Sequence, residues 1–152
     1  MQDYKFMLDA YAQAGGVPEV LKDSKIAHLV VHKNKVLGSH LVKGLICSGY
    51  RVLMETNGSL DVGMVDKRCI KIMDIKCPSS GESLSNDYSN LEKLGRDDEI
   101  KFVVATREDY DYTRHMLGCV DRNLLKHIPI HFSPVFGGLD PKILSQWILA
   151  DH

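Results

Sequence analysis

Paired cysteines are missing from this chain. Its four cysteines, Cys47, Cys69, Cys77 and Cys119, stand far apart, with neither a CxxC nor a CxxxCxxC spacing. Zinc ribbons and compact cluster sites need ligands close together, so the sequence predicts isolated thiols buried as small hydrophobes. An excess of one charge is missing too: 19 Lys and Arg stand against 20 Asp and Glu. That balance gives no electrostatic reason to bind nucleic acid or an anionic membrane surface. No apolar run approaches the ~20 residues that span a bilayer. The opening MQDYKFMLDAYAQAGG has neither the basic start nor the apolar core of a secretion signal, so the chain reads as cytoplasmic. No P-loop, dinucleotide fingerprint or GxSxG elbow occurs, and Ala14-Gly15-Gly16 is too short for a phosphate loop. His28 and His32 lie on a strand-like segment, which separates them and argues against a metal site.

What is present is an ordinary globular composition, 44% hydrophobic and 26% charged, in 152 residues. That length suits one domain, 1–152, with a real core. Apolar runs predict strands over 26–31 (IAHLVV), 51–55 (RVLME), 69–76 (CIKIMDIK), 99–105 (EIKFVVA) and 127–132 (HIPIHF). Between the first two, Val36, Leu37, Leu41, Val42, Leu45 and Ile46 recur at helical spacing, with Gly49 suited to the C-terminal cap. Residues 107–120 read as a helix with an acidic first turn, and Leu91 to Leu94 as a helical turn. Residues 78–90 read as a long loop. Asp140 followed by Pro141 predicts the start of a closing helix. Strands alternating with helices predict an α/β fold with a parallel sheet of about five strands.

In parallel β/α sheets and barrels, ligands bind beyond the carboxyl ends of the strands. RVLMETNGSL, MDIKCPSSGES and HFSPVFGG all change there from apolar to small and polar residues. Glu55 ends an apolar strand, and its two oxygens suit a bidentate contact with the N–H edge of a heterocycle. Pairing with Lys76 or Arg51, or capping of a loop, is the alternative. Lys76, Ser79 and Ser80 place a cation and two hydroxyls around Pro78 and Gly81, a set suited to a carboxylate or a ribose. Asp74 reads as an inward structural acid and His131 as a satisfied structural histidine. Cys77 is the one cysteine in a candidate site loop.

GYRVLMETNGSL, VDKRCIKIMDIKCPSSGES, DEIKFVVATREDYDYT and PIHFSPVFGGLDPKILSQWILADH resemble, in order and spacing, the 7-carboxy-7-deazaguanine synthase family. The resemblance covers about residues 44–152. It implies a partial (β/α) barrel related to the incomplete (β/α)6 barrel of radical S-adenosylmethionine enzymes. It also implies S-adenosylmethionine, a [4Fe–4S] cluster and Mg²⁺ as cofactors, and a homodimer. The family is a carbon–nitrogen lyase of queuosine (7-deazapurine) biosynthesis. It contracts the ring of 6-carboxy-5,6,7,8-tetrahydropterin to 7-carboxy-7-deazaguanine with loss of ammonia. By motif, Glu55 would hold the pterin, while Asn57, Ser59, Lys76, Pro78, Ser79 and Ser80 would line the S-adenosylmethionine site.

The sequence also departs from the family pattern. The CxxxCxxC motif that holds the cluster is absent, and Met7 and Leu8 precede Asp9 where a cysteine is expected. Ala10 stands at the place of the Mg²⁺-binding threonine, and HKNKVLGSH replaces the TGGEP loop. The family's last strand, with its Gln and His, would fall beyond His152. No residue is therefore assigned a catalytic or metal-ligating role. Two readings remain: a 7-carboxy-7-deazaguanine synthase truncated or altered at both ends, or a non-catalytic remnant acting as a ligand-binding or interaction module.

Overall fold

Alternating apolar positions organise the residues described by the computed structural model, 26–31 and 35–151. The strands are β1 (Ile26–Val31), β2 (Arg51–Thr56), β3 (Ile70–Ile75), β4 (Glu99–Val104) and β5 (Ile130–Pro134). The helices are α1 (Lys35–Cys47), α2 (Arg107–Cys119), the short α3 (Arg122–Leu125) and α4 (Pro141–Ala150). The strands form one sheet in the order β1-β2-β3-β4-β5, and each neighbouring pair is parallel. This is an α/β fold whose strand order is that of a segment of a (β/α) barrel.

Register assigns the two faces. Met54 lies beside Lys71, Thr56 beside Met73, Ile75 beside Phe102, and Phe102 beside Phe132. These residues face the helices. Leu29, Val52 and Met54 pack with Val42 of α1. Met73, Ile75, Ile100, Phe102 and Val104 pack with Tyr110 of α2 and Leu144 of α4. The Phe102 and Phe132 rings stack at 5.7 Å, and Tyr110 meets Trp147 at 5.6 Å. One charged residue interrupts this face: Lys71 is buried and pairs with Asp98 at 2.8 Å. Asp98 also accepts from the Lys71 and Gly95 backbone N–H groups, so the pair is well bonded.

The expected strand boundaries hold to within a residue or so, except at β5. It begins at Ile130, because His127 and Ile128 close a turn onto Leu124 and Pro129 has no N–H to donate. Residues 78–90 are not an open loop. They carry 3₁₀ turns at Pro78–Ser80 and Ser83–Ser85, and the start of a third, Tyr88–Lys93, that Asp87 caps. The closing helix starts as expected, with the Asp140 side chain accepting from Lys142 N–H and Pro141 in the first turn. Two cysteines depart from the expectation: Cys69 and Cys77 are buried, whereas Cys47 and Cys119 are exposed. No helix among the described residues is long and apolar enough to cross a membrane.

Candidate functional site on the open face of the sheet

The face away from the helices carries the charge. Glu55, Ile72 and Glu99 share one row across β2, β3 and β4. One row nearer the carboxyl rim lie Asp74, Lys101 and His131. Three ion pairs on this face join an acid to a base nearer the rim. Lys101 Nζ meets Glu55 Oε1 at 2.8 Å, His131 Nε2 meets Glu99 Oε2 at 2.9 Å, and Lys76 Nζ meets Asp74 Oδ2 at 2.6 Å. To do so, Lys101 reaches across β3, two strand spacings of about 4.8 Å each. All of these groups except the buried Asp74 are partly exposed, so the wall is polar and open to a ligand.

Glu55 therefore has a definite partner, and it is neither Lys76 nor Arg51. One carboxylate oxygen accepts from Lys101, while the other lies 4.0 Å from His28, beyond hydrogen-bond length. A heterocycle edge could still use that second oxygen and share the first.

The two polar segments end on the same rim. After β2, the Asn57 side chain accepts from Ser59 N–H at 3.2 Å and from the Ser59 hydroxyl at 2.8 Å, closing a tight turn. Gly58 has φ +66, and a Cβ there would sit 3.1 Å from the Met73 side chain. Only glycine lets this turn lie so close to β3. After β3, Pro78, Ser79 and Ser80 form a 3₁₀ turn that Gly81 ends with φ +71. The Ser80 hydroxyl donates to Cys77 C=O at 2.6 Å. Ser79 gives both its N–H, at 2.9 Å, and its hydroxyl to the carboxylate of Asp109. That buried acid also accepts from Ala105 and Thr106 N–H, so the loop is clamped to the first turn of α2.

Two asparagines join the loops to each other. Asn90, fully buried, donates to Gly58 C=O and Leu60 C=O and accepts from Val62 N–H. Asn86 pairs with both the N–H and the C=O of Lys76, at 3.0 and 2.9 Å. Asp87 N–H adds a bond to Gly58 C=O at 3.1 Å. The structure thus brings Glu55, Asn57, Ser59, Lys76, Pro78, Ser79 and Ser80 to adjacent strand ends. Sequence reasoning passed over Lys101, Glu99, Asn86, Asn90 and Asp109. For Lys101 and Glu99 the signal was present, because alternation along EIKFVV puts them on the face of Glu55. A groove of about 970 Å³ between the 3₁₀ segment and the end of α2, lined by Leu91, Leu94, Met116 and Val120 among others, shares none of these residues.

A cluster of iron does not fit this set. Burial pushes the Cys77 thiol up to about 12 and the Cys69 thiol up to about 11, and the two lie in separate core clusters, so they do not converge on one site. Cys77 turns into the core rather than the site. Among the described residues, no three of His, Cys, Asp and Glu converge as metal ligands, for Mg²⁺ or for a cluster. The candidate positions Met7, Leu8, Asp9, Ala10 and His32 lie outside the described residues.

No protein-family model matches the chain. Curated proteins do. It is 37% identical over 121 residues to the 7-carboxy-7-deazaguanine synthase of Koribacter versatilis, covering 71% of this chain and 53% of that protein. It is 39% identical over 104 residues to the synthase of Chlorobaculum tepidum, covering 66% and 46%. With the synthase of Methanospirillum hungatei the identity is 31% over 115 residues, covering 74% and 45%. The chain thus spans about half the length of the curated relatives it matches. Over the part that aligns, the chain is similar to 7-carboxy-7-deazaguanine synthases.

Proposed function

We propose that the open face binds the two small molecules of the synthase reaction, 6-carboxy-5,6,7,8-tetrahydropterin and S-adenosylmethionine. Glu55, braced by Lys101, takes the N–H edge of the pterin. Asn57, Ser59, Lys76, Pro78, Ser79 and Ser80 line the place of the sulfonium nucleoside. The single observation that supports this reading is the shared rim, where Asn86, Asn90 and Asp87 tie the two loops together. What is proposed for the described residues is a ligand-binding, synthase-like module, and among them no metal-ligand group converges. A cytoplasmic location and a homodimer are part of the same proposal.

Equilibrium binding to the purified chain tests this directly. Both ligands should bind, and Glu55→Gln should weaken the pterin about tenfold or more by removing one charged acceptor. Binding of neither ligand would refute the proposal. The second reading, a catalytically active synthase, is favoured by the names of the relatives. Anaerobic reconstitution with iron and sulfide separates the two: visible cluster absorption with cleavage of S-adenosylmethionine would establish the enzyme.

A further inference from the structure

Three acids are buried in the described part of the chain: Asp74, Asp98 and Asp109. Two of them serve the fold and are saturated. Asp98 takes Lys71 Nζ and two backbone N–H groups. Asp109 takes Ser79, Ala105 and Thr106. Asp74 differs. Its side chain is 10% exposed and its Oδ2 accepts from Lys76 Nζ, while its Oδ1 is the one buried side-chain polar atom with no partner among the described residues. An ionised carboxylate can accept about four hydrogen bonds, and leaving a buried oxygen unbonded is costly.

We infer that Asp74 is a ligand-contacting residue, and that its Oδ1 accepts a hydrogen bond from a neutral hydroxyl, amide or amino group of the bound small molecule. The inference rests on the binding proposed above. Asp74 stands on the open face, in register with Lys101 and one strand over from Glu55. Lys76 at 2.6 Å already compensates its charge, so the unpartnered oxygen calls for a donor rather than a second cation. Both proposed ligands carry such donors, as ribose hydroxyls in one and as ring and exocyclic N–H groups in the other.

The test measures the binding of S-adenosylmethionine and of the tetrahydropterin separately, to the full chain and to Asp74→Asn. Asparagine keeps the shape, but its amide oxygen is held towards Lys76, so its NH₂ meets the ligand donor. The ligand seated on Asp74 should bind roughly 10- to 100-fold more weakly, while the other changes by less than about threefold. Which of the two falls identifies the source of the donor. A crystal structure of the wild-type complex gives a readout that needs no variant, with a ligand donor on Oδ1 as the expected result. Unchanged affinity for both ligands in a folded variant would overturn the inference and leave the binding proposal standing. A water on Oδ1 in the ligand complex would do the same. Binding of neither ligand by the wild type would overturn both.

Discussion

Replacement of Asp109 by Ala should unfasten the site loop from α2. Asp109 accepts from Ser79 N–H at 2.9 Å, from the Ser79 hydroxyl, from Ala105 N–H at 2.9 Å and from Thr106 N–H at 3.2 Å, the last as part of a capping box. A buried donor left without an acceptor costs about 1–3 kcal/mol. Lost capping costs about 1 kcal/mol. Ser79 is exposed and Ala105 half-buried, so each lost acceptor counts at the low end, about 1 kcal/mol, and with the Thr106 cap the destabilisation is about 3 kcal/mol. For a chain of this size that lowers the melting temperature by roughly 6–12 °C. Asp109→Asn keeps one acceptor oxygen and should lose about half as much. The effect has a pH signature. Burial by itself pushes the Asp109 carboxyl up, but the hydrogen bonds from Ser79, Ala105 and Thr106 outweigh it and hold the carboxyl below its ordinary range. A depressed folded value means stability that is complete above the unfolded carboxylate value of about 3.9, and lost as pH falls through the folded one. Thermal melts from neutral to acid pH should therefore show wild type and Asp109→Ala far apart at neutrality and converging in acid. A variant that melts with the wild type at neutral pH, or a gap that persists unchanged in acid, would refute the clamp.

Lys71→Met leaves Asp98 buried without its counter-charge and should cost about 3 kcal/mol in urea unfolding, less whatever the two backbone N–H groups on Asp98 recover. Adding Asp98→Asn should return much of that loss, and equal stability of the single variant and wild type would contradict the pair. With a thiol-alkylating reagent at neutral pH, mass spectrometry should find Cys47 and Cys119 modified in the native chain. Cys69 and Cys77, whose thiols burial drives up to about 11 and 12, should react only after unfolding.

Much of this was legible because strand and cap signals are local. IAHLVV and EIKFVV are strands on β-branched content, and the Asp140-Pro141 pair announces its helix. The alternation of IKIMDI puts Asp74 and Ile72 on one face and Lys71 on the other, where the structure has them. What escaped reading depends on contacts between distant segments. Nothing in PSSGESLSNDYSN marks Asn86 and Asn90 as the ties between two rim loops, since their partners lie 10 and 28–32 residues away. Asp109 looked like an ordinary acid of a first helical turn, yet its second task, holding Ser79, spans 30 residues. The exposed cysteines were misjudged by composition, because helix phase rather than residue type decides burial at Cys47 and Cys119.

The described strands lie side by side in the order in which the chain is synthesised. A nascent chain leaving the ribosome can dock each new strand on the last without waiting for a remote segment, which keeps loop-closure costs small at every step. The same serial layout lets natural variation retool one rim loop at a time, because each unit contributes a separate slice of the ligand-facing wall.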